Sequence, residues 1–372
     1  MHTRRRDEAA VSLVFEAVSK SFGGEPVLRE LDLTVGTGQL MTVLGPSGGG
    51  KTTMLRIAAG LESPTSGAVH LDGNPVRLGD SSVAFQDTPL YPHLTVLDNV
   101  LFPLRLRAAR GGTSRYRNDR ERRAAALDAL EMMHIPDLGP RRINQLSGGQ
   151  RQRVGIARAL VRDVGLYLFD EPLAHLDQAL ARDIREDLRA VQREKGLTMV
   201  YVTHQVEEAF ALGDTVTILN DGRLEQIGPP QELWQRPATR FVAGFLGGHS
   251  MNFVPGEDRI VRGFRPENCL VQDLAAVRSD QGSESVLRFD GTVVGSSFLG
   301  EQTLVVVDTG SETRALRALL PSVRSGEPVD PPAIGESACV LVDEVNVHEF
   351  DAATGQRIVP ADARGGATAQ PQ

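Results

Sequence analysis

Three stretches of the chain are apolar almost without interruption and too short to show a helical period: "LMTVL" at 40–44, Tyr167 to Phe169 within "GLYLFDEP", and "TMVYVTH", which ends at His204. Runs of this length, bounded by glycine or charged residues, read as strands buried on both faces, as a parallel sheet requires. Between them the period changes. Thr52 to Ala59 reads as a helix closed by Gly60, and Val154, Ala157 and Val161 line one face of a helix that starts near Ser147. From 246 onward short alternating stretches broken by glycine take over, such as "SVLRFDGTVVG", "TLVVVDTG" and "ACVLVDEVNVHEF". They predict a small β-barrel domain over 246–360. The pattern therefore predicts an α/β domain followed by an all-β one, with disordered ends at 1–10 and 361–372.

Composition narrows the class without changing this division. A chain of 372 residues with 41% hydrophobic content is long enough for two ordinary folded domains. No apolar run approaches the roughly 18 residues of a membrane span. The start, "MHTRRRDEAAVSLVF", lacks an apolar signal core, so the expected location is the cytoplasm. Cys269 and Cys339 form neither a metal spacing nor a disulfide framework. A net charge of −8 argues against general nucleic-acid binding. Of 40 basic residues only Lys20, Lys51 and Lys195 are lysine, so a lysine that persists against this arginine bias points to chemistry.

Lys51 sits where phosphate chemistry needs a lysine. "GPSGGGKTT", from Gly45 through Pro46, Ser47, Gly48, Gly49, Gly50, Lys51 and Thr52 to Thr53, meets the pattern G-x-x-x-x-G-K-[ST] between a predicted strand and a predicted helix. Glycines let backbone N–H groups curl around phosphate oxygens, and the helix N-terminus adds partial positive charge. Lys51 supplies a compact ammonium for the β- and γ-phosphates of a nucleotide, and Thr52 a hydroxyl for Mg²⁺. Downstream, Asp170 and Glu171 end a buried strand. In a parallel sheet a carboxylate at that edge reaches Mg²⁺, and its neighbour can polarise an attacking water. A solvated acidic turn is the other reading of "DEP". Ser147 and Gln150 fit a capping box, and with Gly148 and Gly149 they leave a helix start open to an anion.

These motifs, in this order, resemble the ATP-binding-cassette ATPases over residues 11 to 245. "GPSGGGKT" is similar to their Walker A loop, "LSGGQ" to their signature, "LYLFDE" to their Walker B strand, "LAHLD" to their D-loop and "VTH" to their switch histidine. The resemblance implies an α/β P-loop cassette with an α-helical subdomain at about 88–162, followed by an OB-like regulatory domain. It implies ATP and Mg²⁺ as ligands, with Thr52, Gln86 and Asp170 at the metal and Glu171, Gln86 and His204 at the reacting phosphate. Two copies would face head to tail, so that Ser147, Gly148, Gly149, Gln150 and Asp177 serve ATP held by the other chain. Phe22 falls at the adenine-stacking position, with a core phenylalanine as the alternative. Gly49, the D-loop "AHLD" and Gln205 depart from common versions of the motifs, and none of the three removes a catalytic group.

"FVAGFLGGHSMNFVPG" and "GFRPENCLV" further resemble importer ATPases of the maltose and glycerol-phosphate type. That resemblance implies two membrane permease subunits docking near 86–104, an extracytoplasmic solute-binding protein, no nucleic acid, and a place at the cytoplasmic membrane face. Polyamine, metal and sulfate importers remain alternatives, as do a non-transport cassette ATPase and a chiefly regulatory ATP-binding protein. The arginine-rich run 105–123 reads as a loop plus the start of a solvated helix, with lipid headgroups as a lesser possibility.

Overall fold

The structure is a computed structural model that describes residues 13–86, 89–109, 115–174, 176–274, 285–310, 315–324 and 327–358. The ends expected to be disordered, 1–10 and 361–372, lie outside the described residues, as do 110–114 of the arginine-rich run. Two compact units emerge, 1–233 and 234–372. Among the described residues no helix is long and apolar enough to cross a membrane.

The first unit begins with β1 (Leu13–Phe22), β2 (Glu25–Val35), β3 (Leu40–Leu44), α1 (Lys51–Ala58), β4 (Ser66–Leu71), β5 (Asn74–Pro75) and β6 (Ser81–Ala84). It continues through α2 (Val96–Ala109), α3 (Asp119–Met132), α4 (Gly148–Leu160), β7 (Leu166–Asp170), α5 (Gln178–Lys195), β8 (Thr198–Thr203), α6 (Val206–Leu212), β9 (Thr215–Asn220) and β10 (Arg223–Gly228). The expected buried runs become the centre of a six-stranded sheet ordered β10-β9-β3-β8-β7-β6. Strand β3 runs parallel to β8 and β9, and β7 runs parallel to β8. Alternate side chains of these strands enter two separate cores. Tyr167, Phe169, Met199 and Tyr201 face α4 and α5, while Leu168, Val200 and Val202 face α1 and the antiparallel sheet β2-β1-β4-β5. Burial on both faces is why the runs carry no polar alternation. Register then matters for function: Leu44 pairs with Thr203 and Asp170 with Val202, so three strands end together at one edge.

Two expectations are corrected here. The run 105–123 is helical rather than a loop at its start, since α2 continues to Ala109 and α3 begins at Asp119. Arg105 forks between Asp98 (3.2 Å) and Asp119 (3.1 Å), a long-range neutralisation that local composition hides. The second correction concerns the boundary at 245. Helix α7 (Pro230–Gln235) spans the division, and Trp234 onward clusters with the C-terminal unit. Arg265 supplies the physical reason. Its buried guanidinium donates to the carbonyls of Leu246 and Trp234, both at 3.0 Å, and stacks 3.5 Å from the Trp234 ring centroid. Burial lowers its pKa to about 10.

The C-terminal unit holds α8 (Arg240–Phe245), then β11 (Asn252–Pro255), β12 (Ile260–Phe264), β13 (Cys269–Asp273), β14 (Val286–Phe298), β15 (Gln302–Asp308) and β16 (Leu316–Pro321). The short pair β17 (Val323–Arg324) and β18 (Glu327–Pro328) precedes β19 (Ser337–Asp343) and β20 (His348–Asp351). Five strands form an antiparallel sheet ordered β13-β19-β14-β15-β16, and its edge strands β13 and β16 come into contact, curling the sheet around a core of Val293, Val305, Val307, Ala318, Val340 and Val342. A bulge between Val293 and Gly295 assists that bend. The all-β domain expected from the alternating pattern is present.

Candidate nucleotide site

The loop after β3 is built so that only glycine fits it. A Cβ on Gly45 would lie 2.0 Å from the Leu219 carbonyl oxygen, on the neighbouring strand β9. Gly50 takes φ +95° and caps α1, and a Cβ there would meet the Leu28 side chain at 2.7 Å and the Val27 carbonyl at 2.8 Å. Helix α1 therefore starts at Lys51, one residue earlier than its periodicity predicts. The first N–H groups of such a helix have no intrahelical acceptor, which makes this end a site for an anion. Ser47, Gly48 and Thr52 are exposed around it, Pro46 and Thr53 half-buried.

Lys51 is buried, and its Nζ donates to the carbonyl oxygens of Gly45 and Pro46, both at 2.9 Å. Burial pushes its pKa down, partly opposed by the nearby Glu171 and Asp170 carboxylates. The ammonium thus sits inside the loop's own curve, held by two carbonyls. Thr52 Oγ1 donates to Asp170 Oδ1 at 3.3 Å. Burial raises the Asp170 pKa, the Thr52 hydroxyl opposes that rise, and the Glu171 charge adds to it. A desolvated carboxylate beside a hydroxyl is a fitting oxygen pair for a small hard cation, which commonly takes one or two carboxylates and completes its shell with phosphates and water.

Glu171 follows at φ +44°, in the left-handed region, its N–H donating to the Val202 carbonyl at 2.9 Å. Such a conformation is uncommon for a residue with a side chain and carries strain. It turns the carboxylate toward β8, where Glu171 Oε2 lies 2.9 Å from His204 Nδ1. The structure brings Lys51, Thr52, Asp170, Glu171 and His204 to one sheet edge. Gln86, exposed just beyond β6, stands at the same end of the sheet. Phe22 is 47% exposed, so it is not a core residue, and Lys20 Nζ lies 4.7 Å from its ring centroid.

The stretch 147–150 is arranged differently. Ser147 Oγ accepts from the Gln150 N–H (3.3 Å), and Gln150 Oε1 accepts from the Ser147 N–H (3.0 Å), the reciprocal box read from the sequence. These hydrogen bonds stay within the start of α4. Ser147 and Gly148 are exposed, while Gly149 is buried. A Cβ on Gly149 would lie 2.1 Å from Leu180 Cδ2. Asp177 caps α5 by accepting from the N–H of that same Leu180 at 3.0 Å. Sequence reasoning missed Leu180, because nothing local marks a leucine as the partner of a glycine thirty-one positions away.

Comparison with known proteins agrees with this geometry. The family model described as ABC transporter matches residues 28–174. The sn-glycerol-3-phosphate import ATP-binding protein UgpC 1 of Rhizobium etli is 36% identical over 365 residues, covering 94% of this chain and 98% of the relative. The spermidine/putrescine import ATP-binding protein PotA of Methylococcus capsulatus is 44% identical over 238 residues, 63% of this chain and 60% of the relative's own length. A solved dimeric bacterial ABC transporter cassette superposes with a TM-score of 0.52 at 33% identity, over 59% of this chain and 98% of that one. A P-loop, an edge of paired carboxylates and a histidine on one sheet, in a chain matched almost end to end by a relative, place this protein in the ABC transporter family as an ATP-hydrolysing subunit.

Proposed function

We propose that this chain energises solute uptake across a membrane, working at the cytoplasmic face as two head-to-tail copies bound to two permease subunits. The observation that carries the importer reading is the alignment with a glycerol-phosphate import protein across both units of the chain. A cleft of about 940 Å³ in the first unit supports it, with Leu78, Phe85, Tyr91, Phe102 and Leu106 among its lining. Its position beside Gln86 gives a permease segment an apolar seat next to the nucleotide site.

In this reading the helix-start N–H groups and Lys51 hold the β- and γ-phosphates of ATP. Thr52, Asp170 and Gln86 would hold Mg²⁺, which supplies charge neutralisation at the phosphate oxygens. Glu171 accepts a proton from the attacking water, steadied by His204, whose Nε2 has no partner among the described residues and is free for the γ-phosphate. Phe22 stacks on adenine. Ser147, Gly148, Gly149, Gln150 and Asp177 close over the nucleotide of the opposite copy, an arrangement supported by the dimeric cassette that this chain resembles.

The solute is a carbohydrate or a glycerol-phosphate-like compound, delivered by an extracytoplasmic binding protein. The match to the polyamine import protein favours a second reading, but it covers only 63% of the chain. Co-purification with permease subunits tests the importer role. ATPase activity of the assembled complex, measured with a panel of loaded binding proteins, tests the solute. Stimulation by a sugar- or glycerol-phosphate-loaded protein is expected; stimulation confined to polyamine or metal loading would overturn the assignment.

A further inference from the structure

His204 stands between the end of β8 and the start of α6, on a connection with few local constraints. Gln205 occupies the N-cap of α6 without a side-chain cap bond, so the helix does not fix its own start. The constraint comes from below. Glu208, only 3% exposed on the first turns of α6, accepts from Thr203 Oγ1 at 2.7 Å and from the Tyr201 hydroxyl at 3.2 Å, both on the same oxygen, Oε2. Thr203 Oγ1 in turn accepts from the Gln205 N–H at 3.0 Å. One hydroxyl thus donates to the buried carboxylate and receives from the backbone on the far side of His204. The residues before and after the histidine are both tied to a single side chain.

The arrangement is costly. Glu208 Oε1 is buried with no hydrogen-bond partner among the described residues, and Tyr201 is fully buried. A buried acceptor left unsatisfied typically costs ~1–3 kcal/mol, so an apolar residue here would pack at lower cost if holding α6 on the sheet were all that was needed. Attachment of α6 is in any case supplied separately, by Thr42 Oγ1 donating to the Ala209 carbonyl at 3.1 Å. What the apolar alternative could not supply is a directional acceptor for Thr203.

We infer that Glu208 is a positioning residue for hydrolysis: through Thr203 and the Gln205 N–H it sets the connection that carries His204, and so holds the His204 ring on the Glu171 carboxylate. This rests on the reading that Glu171 and His204 carry the hydrolytic step. Glu208 itself bonds to Thr203 and Tyr201 and acts only through them.

Thr203→Val removes the relay hydroxyl while keeping shape, Thr203→Ser restores the hydroxyl, and Glu208→Leu removes the acceptor. In the full chain with ATP and Mg²⁺, Thr203→Val and Glu208→Leu should each lower kcat by roughly tenfold with KM within about twofold, since positioning acts on the transition state more than on binding. Thr203→Ser should recover kcat to within about threefold of the parent. The ¹⁵N shifts of the His204 ring, read by NMR, should move in the valine variant and return in the serine variant. The inference is overturned if folded Thr203→Val keeps kcat and the His204 shifts of the parent, or if serine fails to rescue. Should Glu208→Leu fail to fold, Thr203→Val decides alone. Glu171→Gln serves as the separate control: if it retains hydrolysis, the underlying assignment falls, whereas if it abolishes hydrolysis while Thr203→Val does not, only the role of Glu208 falls.

Discussion

Two glycine-rich stretches of this chain are built for opposite situations. The loop 45–53 finds its surroundings within its own chain: Leu219 and Val27 press on its glycines, Lys51 fills its curve, and Asp170 and Glu171 stand at the end of β7, beyond the intervening β8. The stretch 147–150 has spent the Ser147 and Gln150 side chains on starting its own helix. Its outer residues, Ser147 and Gly148, face solvent. The first gathers a lysine, a hydroxyl and two carboxylates around a helix start, whereas the second presents a capped helix start without them; in the proposed pairing it would serve the nucleotide of the opposite copy. A helix N-terminus favours anions in both places, so sequence chemistry alone ranks them alike. What separates them is which carboxylates and cations the sheet delivers to each.

The strongest way to break this comparison is to disable the two stretches in different chains. If the proposed head-to-tail pairing holds, Lys51→Ala and Ser147→Arg chains, each paired with its own kind, should both show ATPase activity at background, the first for lack of the ammonium and the second through bulk where the two copies would meet. A mixed dimer pairs one intact loop with one intact opposite stretch, and ATP-dependent closure at that site should return. If 147–150 served its own chain, each subunit would carry one lethal defect and mixing would rescue nothing. Native mass measurement of the closed species alongside turnover decides between the two.

A smaller effect sharpens the self-contained half. Glu171→Gln should retain ATP binding and lose hydrolysis by about 10²- to 10⁴-fold, the usual contribution of a general base. Binding read by fluorescence titration and turnover read by phosphate release separate the two quantities. Retention of more than about a tenth of the parental rate would move the role away from Glu171.

The smallest expected effect separates two adjacent glycines. Gly149→Ala forces a Cβ into the Leu180 side chain, and overpacking of that kind costs ~1–3 kcal/mol, visible as a lower Tm. Gly148→Ala meets nothing within 4 Å, so its Tm should stay at the parental value while ATP-driven dimer closure weakens. Equal thermal penalties at the two positions would show that both glycines serve the chain's own packing.

Much of this site was legible because its determinants are local. Strand β3, the loop, α1 and the Ser147–Gln150 box are each set by residues within a few positions, and the continuous apolar runs at 40–44, 167–169 and 198–204 announced a sheet buried on both faces. The remainder depends on partners that the sequence does not bring near. That Thr52 meets Asp170, that Glu171 takes a left-handed conformation, and that Arg105 pairs with Asp119 all follow from tertiary placement. Arg265 shows the same limit. Read locally it belongs to a motif, yet in the fold it ties the Trp234 and Leu246 carbonyls to the strands of the C-terminal unit.

Leu180 joins two of the named stretches, with its backbone N–H held by Asp177 and its side chain filling the space that Gly149 leaves. This contact constrains how such chains can be inherited or recombined. Within this chain a larger residue at 149 requires the Leu180 side chain to shift or a smaller residue at 180. A hybrid protein that joined 146–153 of this chain to a helix with a bulkier residue at 180, or 176–183 of this chain to a stretch with a side chain at 149, would meet a clash that neither stretch, read singly, shows.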